Sequence, residues 1–169
     1  MTPTFSPRVV FAAISLLCAI SMAFAYFFLQ QHLGLAPCPL CMSQRIFIVA
    51  CGVFALIGFL HNPRGWGIRA YGALCTLSAV LGGAVAGRHI WIQHLPPDQV
   101  PACGPSLEYM LETLPFSQAL ELILMGDGNC ADTVWTFAGL SIPEQTLGVF
   151  IVAALLSLWQ TLRTYPRSA

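Results

Sequence analysis

The stretch that decides the fold is residues 9–29, VVFAAISLLCAISMAFAYFFL, which contains no charged side chain. At about 1.5 Å per residue, a helix of this length covers roughly 30 Å, the hydrocarbon thickness of a bilayer. Lipid admits only helices or closed barrels, and this run lacks the period-two pattern of a barrel strand. It also exceeds the apolar core of a signal peptide, so we expect it to be retained. The run predicts a transmembrane helix.

Composition extends this prediction to the whole chain. Hydrophobic residues make up 57% of the sequence and charged residues only 8%, whereas soluble domains carry about 25% charged residues. Three further apolar runs are long enough to span a bilayer, and they cover residues 42–60, 70–92 and 146–162. We therefore predict an all-α integral membrane protein with one domain over residues 1–169, built as a four-transmembrane-helix bundle.

The charges predict the orientation of the bundle. Five of the arginines flank one side of the predicted spans, namely Arg8, Arg64, Arg69, Arg163 and Arg167. All seven acidic residues fall in the connection 93–145. By the positive-inside rule the N-terminus, the turn 61–69 and the C-terminus are cytoplasmic, and the loops 30–41 and 93–145 face outward. The formal net charge of zero argues against a nucleic-acid partner.

The seven cysteines divide by this topology. Three lie inside predicted spans, where cysteine packs as a small hydrophobe: Cys18, Cys51 and Cys75. Four lie on the outer side, where an even number of thiols indicates disulfides: Cys38, Cys41, Cys103 and Cys130. The obvious pairing is Cys38 with Cys41 and Cys103 with Cys130, although three pairings are possible. A four-thiolate zinc site is disfavoured, because Cys103 and Cys130 do not form a close pair.

The segment 36–45, APCPLCMSQR, places a Cys-x-x-Cys pair at the start of the second span. Pro39 suits the first helical position, so Cys38 and Cys41 fall in the first turn, where the helix dipole stabilises a thiolate. Arg45 lies one turn beyond Cys41 on the same helix face and adds a permanent cation; the alternative is that it only reaches to the headgroups. So short a disulfide ring restrains little chain entropy, which favours a redox couple over a staple.

The depth of this pair suggests its electron acceptor. A site beside lipid favours a lipid-soluble two-electron carrier, and a quinone fits. His89 follows Arg88 at the outer end of the third span, at the predicted level of Cys41. It would either donate to a quinone carbonyl or bind water at the headgroup boundary. The sequence has no Cys-x-x-Cys-His motif and no facing histidine pair, which disfavours haem.

The long outer connection carries two further features. Residues 115–125, PFSQALELILM, place Phe116, Leu120, Ile123 and Leu124 on one helical face. This pattern predicts a short amphipathic helix that lies on the membrane surface or packs on the bundle. The following GDGNC predicts a flexible turn before Cys130. A mobile segment that carries a disulfide suits a shuttle between a soluble partner and the membrane.

Together these residues resemble the DsbB family of bacterial inner-membrane disulfide-bond formation proteins. The resemblance rests on four spans, on CPLCMSQR after the first, on RHIWIQ at the end of the third, on the two loop cysteines and on NCADTVWTFAGLSIPEQ before the fourth. It implies a quinone-linked thiol oxidase whose site faces the periplasm. The implied partners are a DsbA-type periplasmic thiol oxidase, the membrane quinone pool and the lipid bilayer, with ubiquinone or menaquinone as cofactor and no metal.

The resemblance also implies roles for the cysteines. The partner's thiolate would attack Cys103 of a Cys103–Cys130 disulfide, and the freed Cys130 would attack Cys38 to give a transient Cys38–Cys130 bond. Cys41 would then face the quinone as a thiolate beside Arg45. Two details depart from the family pattern. Position 44 is Gln where an acidic residue often stands, and the spacing from His89 to Cys103 is about one residue longer than expected.

Two alternatives remain at this point. A vitamin K epoxide reductase-like protein also combines a four-helix membrane bundle, a Cys-x-x-Cys pair and a quinone, but its active pair typically belongs to a late span. A non-catalytic four-span protein with a disulfide-stapled outer loop would use the same cysteines for stability alone.

Overall fold

A computed structural model describes residues 6–96, 98–101, 115–126 and 128–163. Four of its helices are long and apolar enough to cross a membrane, which confirms the predicted fold class. Helix α1 continues without a break into a π-helical segment, which we call the π segment. The helices are α1 (Pro7–Ala23), the π segment (Phe24–His32), α2 (Pro39–His61), α3 (Trp66–Gln93), α4 (Phe116–Met125) and α5 (Ile142–Leu162).

Helices α2 and α5 begin ahead of their apolar runs, and a capping residue defines each start. Helix α2 begins at Pro39, as predicted, but Cys38 is its N-cap and does not lie in the first turn. Helix α5 begins at Ile142, ahead of the run predicted from residue 146. The cause is a capping box, in which the carboxylate of Glu144 accepts a hydrogen bond of 2.6 Å from the backbone N–H of Ser141.

The main core lies between the four spanning helices and is built from aliphatic, aromatic and small residues. Phe11 and Ile14 of α1 are fully buried, as is Cys75 of α3. On α3, Gly82 faces the ring of Phe150, and a Cβ at this glycine would overlap that ring. Small residues therefore set how closely α3 and α5 approach, as is usual for helices in lipid.

A second, smaller core closes the end of the bundle where α2 and α5 begin and α3 ends, which we call the cysteine end. It consists of Leu40, Val85, Ile92 and Cys130, and Cys38 packs against it. A two-stranded antiparallel hairpin, β1 (Thr136–Phe137) and β2 (Leu140–Ser141), leads from this end into α5.

The turn before Cys130 lies against the second core, and its predicted flexibility stays a prediction. Residues Gly128–Cys130 form a 3-10 turn and Cys130 is fully buried. Gly126 has a φ of 76°, and a Cβ there would lie 2.7 Å from Cδ1 of Ile92 and 2.9 Å from Cδ1 of Leu40. Glycine combines a left-handed backbone with this close approach, and so the segment fits directly onto the second core.

The amphipathic helix predicted over residues 115–125 is present as α4. Leu124 and Met125 at its C-terminal end are exposed, and Ile123 is half-buried. The side chains of Phe116 and Leu120 lie outside the described residues. The carbonyl of Met125 accepts a hydrogen bond of 3.3 Å from Arg88, which ties the end of α4 to α3.

Candidate functional site

The Cys-x-x-Cys pair lies at the N-terminus of α2. The Sγ atoms of Cys38 and Cys41 are 3.1 Å apart, and both residues are half-buried thiols. The Sγ of Cys38 also accepts a hydrogen bond of 3.4 Å from the backbone N–H of Cys41. The positive end of the helix dipole therefore lies at both sulfurs, as predicted. The structure places the two sulfurs in contact, and a Cys38–Cys41 disulfide stays a prediction.

Arg45 is held by the π segment. Its guanidinium donates one hydrogen bond of 2.7 Å to Oε1 of Gln30 and another of 3.2 Å to the carbonyl of Ala25. The guanidinium thus has two protein partners, and the predicted role of Arg45 beside a thiolate stays a prediction. Sequence reasoning missed Gln30, although a polar residue at the end of a long uncharged run was an available signal. π-Helical turns are rare and often occur at functional sites.

A cavity of about 320 Å³ opens beside the cysteine pair. Its volume lies in the range of small-molecule sites, which is about 300–1,000 Å³. Both polar and apolar side chains line it. The polar lining includes Cys38, Cys41, Gln44, Arg45 and His89, and the apolar lining includes Ile20, Phe24, Leu29, Ile48, Trp135 and Val149. This donor set fits a flat, lipid-soluble ring that carries carbonyl oxygens.

Sequence reasoning missed a group of aromatic side chains beside this cavity, of which Phe24 and Trp135 line it. The rings of Phe24 and Phe28 stack with centroids 5.0 Å apart. Trp135, just before the hairpin, packs against both rings with centroid distances of 5.9 and 5.8 Å. The tertiary structure thus packs Trp135 against the π segment beside the cavity.

His89 lies beside the cysteine pair, at the depth in the membrane predicted from the sequence. Its Nε2 is 3.1 Å from the carbonyl oxygen of Cys130 and 3.9 Å from Sγ of Cys38. Its Nδ1 is 3.1 Å from Nε2 of Gln44. His89 and Gln44 are each only 3% exposed. Both ring nitrogens therefore meet protein groups, and the predicted contact of His89 with a quinone stays a prediction.

The donor atoms of Cys38, Cys41 and His89 all lie within 4.8 Å of one another, a grouping that could in principle hold a metal ion. The contact with Cys130 argues against it. A carbonyl oxygen can only accept a hydrogen bond, so Nε2 of His89 must carry the proton in this arrangement. A protonated ring nitrogen has no lone pair to give to a metal.

Of the predicted Cys103–Cys130 disulfide, only Cys130 lies in the described residues. Cys130 lies in the second core beside Cys38. Cys103 lies outside the described residues, and the predicted Cys103–Cys130 pairing therefore stays a prediction. The structure does bring four predicted site residues to one end of the bundle, namely Cys38, Cys41, Arg45 and His89, and it places the backbone of Cys130 against them.

Comparison with known proteins agrees with this geometry. The family model for disulfide bond formation protein DsbB matches residues 7–160. Disulfide bond formation protein B of Saccharophagus degradans is 51% identical over 144 residues, which cover 85% of this chain and 87% of that protein. The protein of the same name from Marinobacter nauticus is 49% identical over 158 residues, or 94% of each chain. That of Psychrobacter arcticus is 52% identical over 149 residues, or 86% of this chain and 85% of the relative. The chain is thus a multi-pass membrane protein that belongs to the DsbB family of disulfide bond formation proteins.

Proposed function

We propose that this protein is a thiol oxidase that reoxidises a DsbA-type dithiol protein and passes the electrons to membrane quinone. The observation that carries the proposal is the cavity at the cysteine end. There a thiol pair at the N-terminus of a membrane-length helix, one arginine and an apolar wall converge. The arginine distribution supports a cytoplasmic-membrane location with this site on the periplasmic side.

The proposed relay begins at the loop disulfide. A thiolate of the partner attacks Cys103 of the Cys103–Cys130 disulfide, and Cys130 leaves as a thiolate. Cys130 then attacks Sγ of Cys38 in a Cys38–Cys41 disulfide. The Cys38–Cys130 bond forms, the Cys38–Cys41 bond breaks and the electron pair stays on Cys41 as a thiolate. The burial of Cys130 beside Cys38 supports this second exchange.

The cycle closes by two further exchanges. The second thiolate of the partner attacks its own mixed disulfide with Cys103, which releases the oxidised partner and frees Cys103. Cys103 attacks Cys130, which restores the loop disulfide and leaves Cys38 and Cys41 as a dithiol. Two electrons and two protons must then leave this pair for the Cys38–Cys41 disulfide to re-form.

Ubiquinone or menaquinone in the cavity would supply the acceptor for these two electrons and two protons. Arg45, fixed by Gln30 and the carbonyl of Ala25, would place its positive charge beside the Cys41 thiolate and beside a carbonyl oxygen of the ring. Phe24 and Trp135 would cover the ring and exclude water. A strong final oxidant is needed, because DsbA-type proteins have a reduction potential of about −120 mV.

The test uses the full chain purified in detergent, a soluble quinone analogue and a reduced DsbA-type protein. Quinone absorbance is followed for the wild type, Cys41→Ser and Cys103→Ser. We expect steady turnover in the wild type and none in either variant. A wild type that reduces no quinone with any reduced partner would contradict the proposal and would leave the cysteines a structural role.

A further inference from the structure

A chain of three contacts connects α2, α3 and the turn that carries Cys130. It runs from the side-chain amide of Gln44, through the imidazole of His89, to the backbone carbonyl of Cys130, with both distances at 3.1 Å. Gln44 and His89 are 3% exposed and Cys130 is fully buried. Hydrogen bonds between groups so removed from water are specific, because no solvent can replace a missing partner.

The chemistry of the acceptor fixes the protonation of the imidazole. The carbonyl of Cys130 only accepts, so Nε2 of His89 carries a hydrogen and donates it. In the neutral ring Nδ1 then carries an unprotonated lone pair, which needs a hydrogen-bond donor. The amide nitrogen of Gln44 supplies that donor, and so each end of the imidazole has a complementary partner. Gln44 thus favours the tautomer that can hold Cys130.

We propose that His89 is a docking residue for the Cys130 turn and that Gln44 is the residue that positions it. Together they hold the backbone of Cys130 against the start of α2, with Cys38 as the sulfur that Cys130 attacks. The proposal rests on the proposed function, because it explains how one exchange of that relay is oriented. The atom that donates to the carbonyl of Cys130 is also 3.9 Å from Sγ of Cys38, so a single ring nitrogen joins the attacking residue to its target.

Apolar packing alone does not provide this orientation. Gly126 and the second core bring the turn close to Leu40 and Ile92, but apolar contacts have no direction and do not orient the carbonyl of Cys130. The hydrogen bond from His89 fixes the backbone of the attacking residue itself. In the exchange, the Cys130 thiolate attacks Sγ of Cys38, the Cys38–Cys130 bond forms, the Cys38–Cys41 bond breaks and the electron pair remains on Cys41. No proton needs to move through His89 in this step.

The experiment measures docking without quinone and without a partner protein. In the full chain carrying Cys41→Ala and Cys103→Ala, the equilibrium between the Cys38–Cys130 disulfide and the dithiol is titrated against glutathione. The equilibrium constant gives the effective concentration of the Cys130 thiol at Cys38, which measures how well the turn is docked. We expect His89→Phe to lower this value about tenfold, the usual worth of one buried hydrogen bond. We expect Gln44→Met to lower it about threefold, because the tautomer is then no longer enforced.

Two conservative variants separate docking from mere support of the fold. His89→Gln keeps an amide N–H at the position of Nε2. Gln44→Glu replaces the amide donor with a carboxylate, which accepts from a protonated Nδ1 and holds the ring as an imidazolium, so that Nε2–H still donates to the carbonyl of Cys130. Both should restore the effective concentration to within about twofold of the parent. His94→Phe is the matched control, since His94 is exposed and its Nδ1 meets only the carbonyl of Ile90 in its own helix.

This titration distinguishes a failure of the docking proposal from a failure of the proposed function. An effective concentration that His89→Phe leaves within twofold of the parent would overturn the docking role. A tenfold loss with His89→Phe and none with Gln44→Met would overturn the positioning role of Gln44. An equal loss with His89→Gln and with His89→Phe would show that the ring matters only for packing and would overturn the proposal. If the wild type reduces no quinone, only the proposed function fails, because this exchange involves neither quinone nor partner.

Discussion

The described cysteines form two groups with the same side chain and opposite surroundings. The core cysteines, Cys18, Cys51 and Cys75, lie inside the bundle and are at most 4% exposed. The end cysteines are Cys38, Cys41 and Cys130, which lie at the cysteine end. The Sγ of Cys75 donates to the carbonyl of Cys51 at 3.6 Å. The thiol of Cys51 also contacts the thiols of Cys18 and Cys75, so a neighbouring thiol is common to both groups. What distinguishes Cys38 is the helix N-terminus and the imidazole beside its sulfur.

The difference shows that the groups around a cysteine, and not the thiol itself, determine whether the cysteine is reactive or only packs. In the core, small size is the useful property: a Cβ at Gly52 would lie 2.9 Å from Cβ of Cys18, so α1 and α2 touch at this pair. An apolar surrounding keeps such a thiol protonated and inert. At the cysteine end, the helix dipole and Arg45 favour the thiolate, which is the nucleophile.

The largest effect should come from deleting one cysteine of each group. Cys41→Ala removes the sulfur that passes electrons onward, and quinone reduction should fall by more than about 1,000-fold. Cys75→Ala removes one atom from the core, and activity should stay within about threefold of the wild type while stability falls by about 1 kcal/mol. Turnover and thermal unfolding are measured on both variants in detergent. Equal loss of turnover in the two would break the comparison.

Alkylation rates should separate the groups without any substitution. In the fully reduced protein, iodoacetamide should modify Cys38 and Cys41 at least about 100-fold faster than the core cysteines, because only thiolates in reach of solvent react. Mass spectrometry of peptides taken over time gives each rate. After denaturation all rates should converge. A core cysteine that reacts in the native protein as fast as Cys38 would contradict the assigned surroundings.

A smaller effect is expected from the cation beside the end cysteines. Arg45→Met removes the charge and the bonds to Gln30 and Ala25, and quinone reduction should fall about 10- to 100-fold. Arg88→Met is the matched control. Arg88 lies at the same end but stacks on Trp91, with its guanidinium carbon 4.3 Å from the ring centroid. Similar losses in both variants would show that charge at this level, rather than the position of Arg45, is what matters.

The smallest effect concerns the fit of the turn that carries Cys130. Gly126→Ala adds a methyl that collides with Leu40 and Ile92, whereas Gly139→Ala adds one in open space. Both glycines have a positive φ, 76° and 81°, so backbone strain is matched. Gly126→Ala should therefore lower the free energy of unfolding by about 1–3 kcal/mol more than Gly139→Ala does. Chemical denaturation in mixed micelles provides the comparison, and equal values would contradict the close fit.

Local patterns predicted much of the fold. The four apolar runs became the four spanning helices, and α4 appeared where its amphipathic pattern indicated. Pro39 correctly predicted the start of α2. These features depend on residues close in sequence, namely hydrophobic runs, helical periodicity and a proline at the first turn, so the sequence is sufficient for them.

The candidate site was predictable only in part. The sequence predicted that Cys41, Arg45 and His89 lie at the same depth in the membrane. In the structure all three line one cavity. It did not predict that Gln30 would hold Arg45, or that Gln44 would meet His89. Those contacts join different helices, and the rotation of each helix about its own axis is decided by packing. A run of apolar residues with little periodicity carries no signal for that rotation.

By itself, the amino-acid sequence determined that this chain crosses a membrane four times and that a thiol pair opens its second span. Hydrophobicity and the reach of a helix are local properties, and they suffice for both statements. Only the tertiary structure decided that Cys130 is buried beside Cys38 and that the imidazole of His89 reaches its carbonyl. These residues are far apart in sequence, and a contact of 3.1 Å depends on how α2, α3 and the turn fit together.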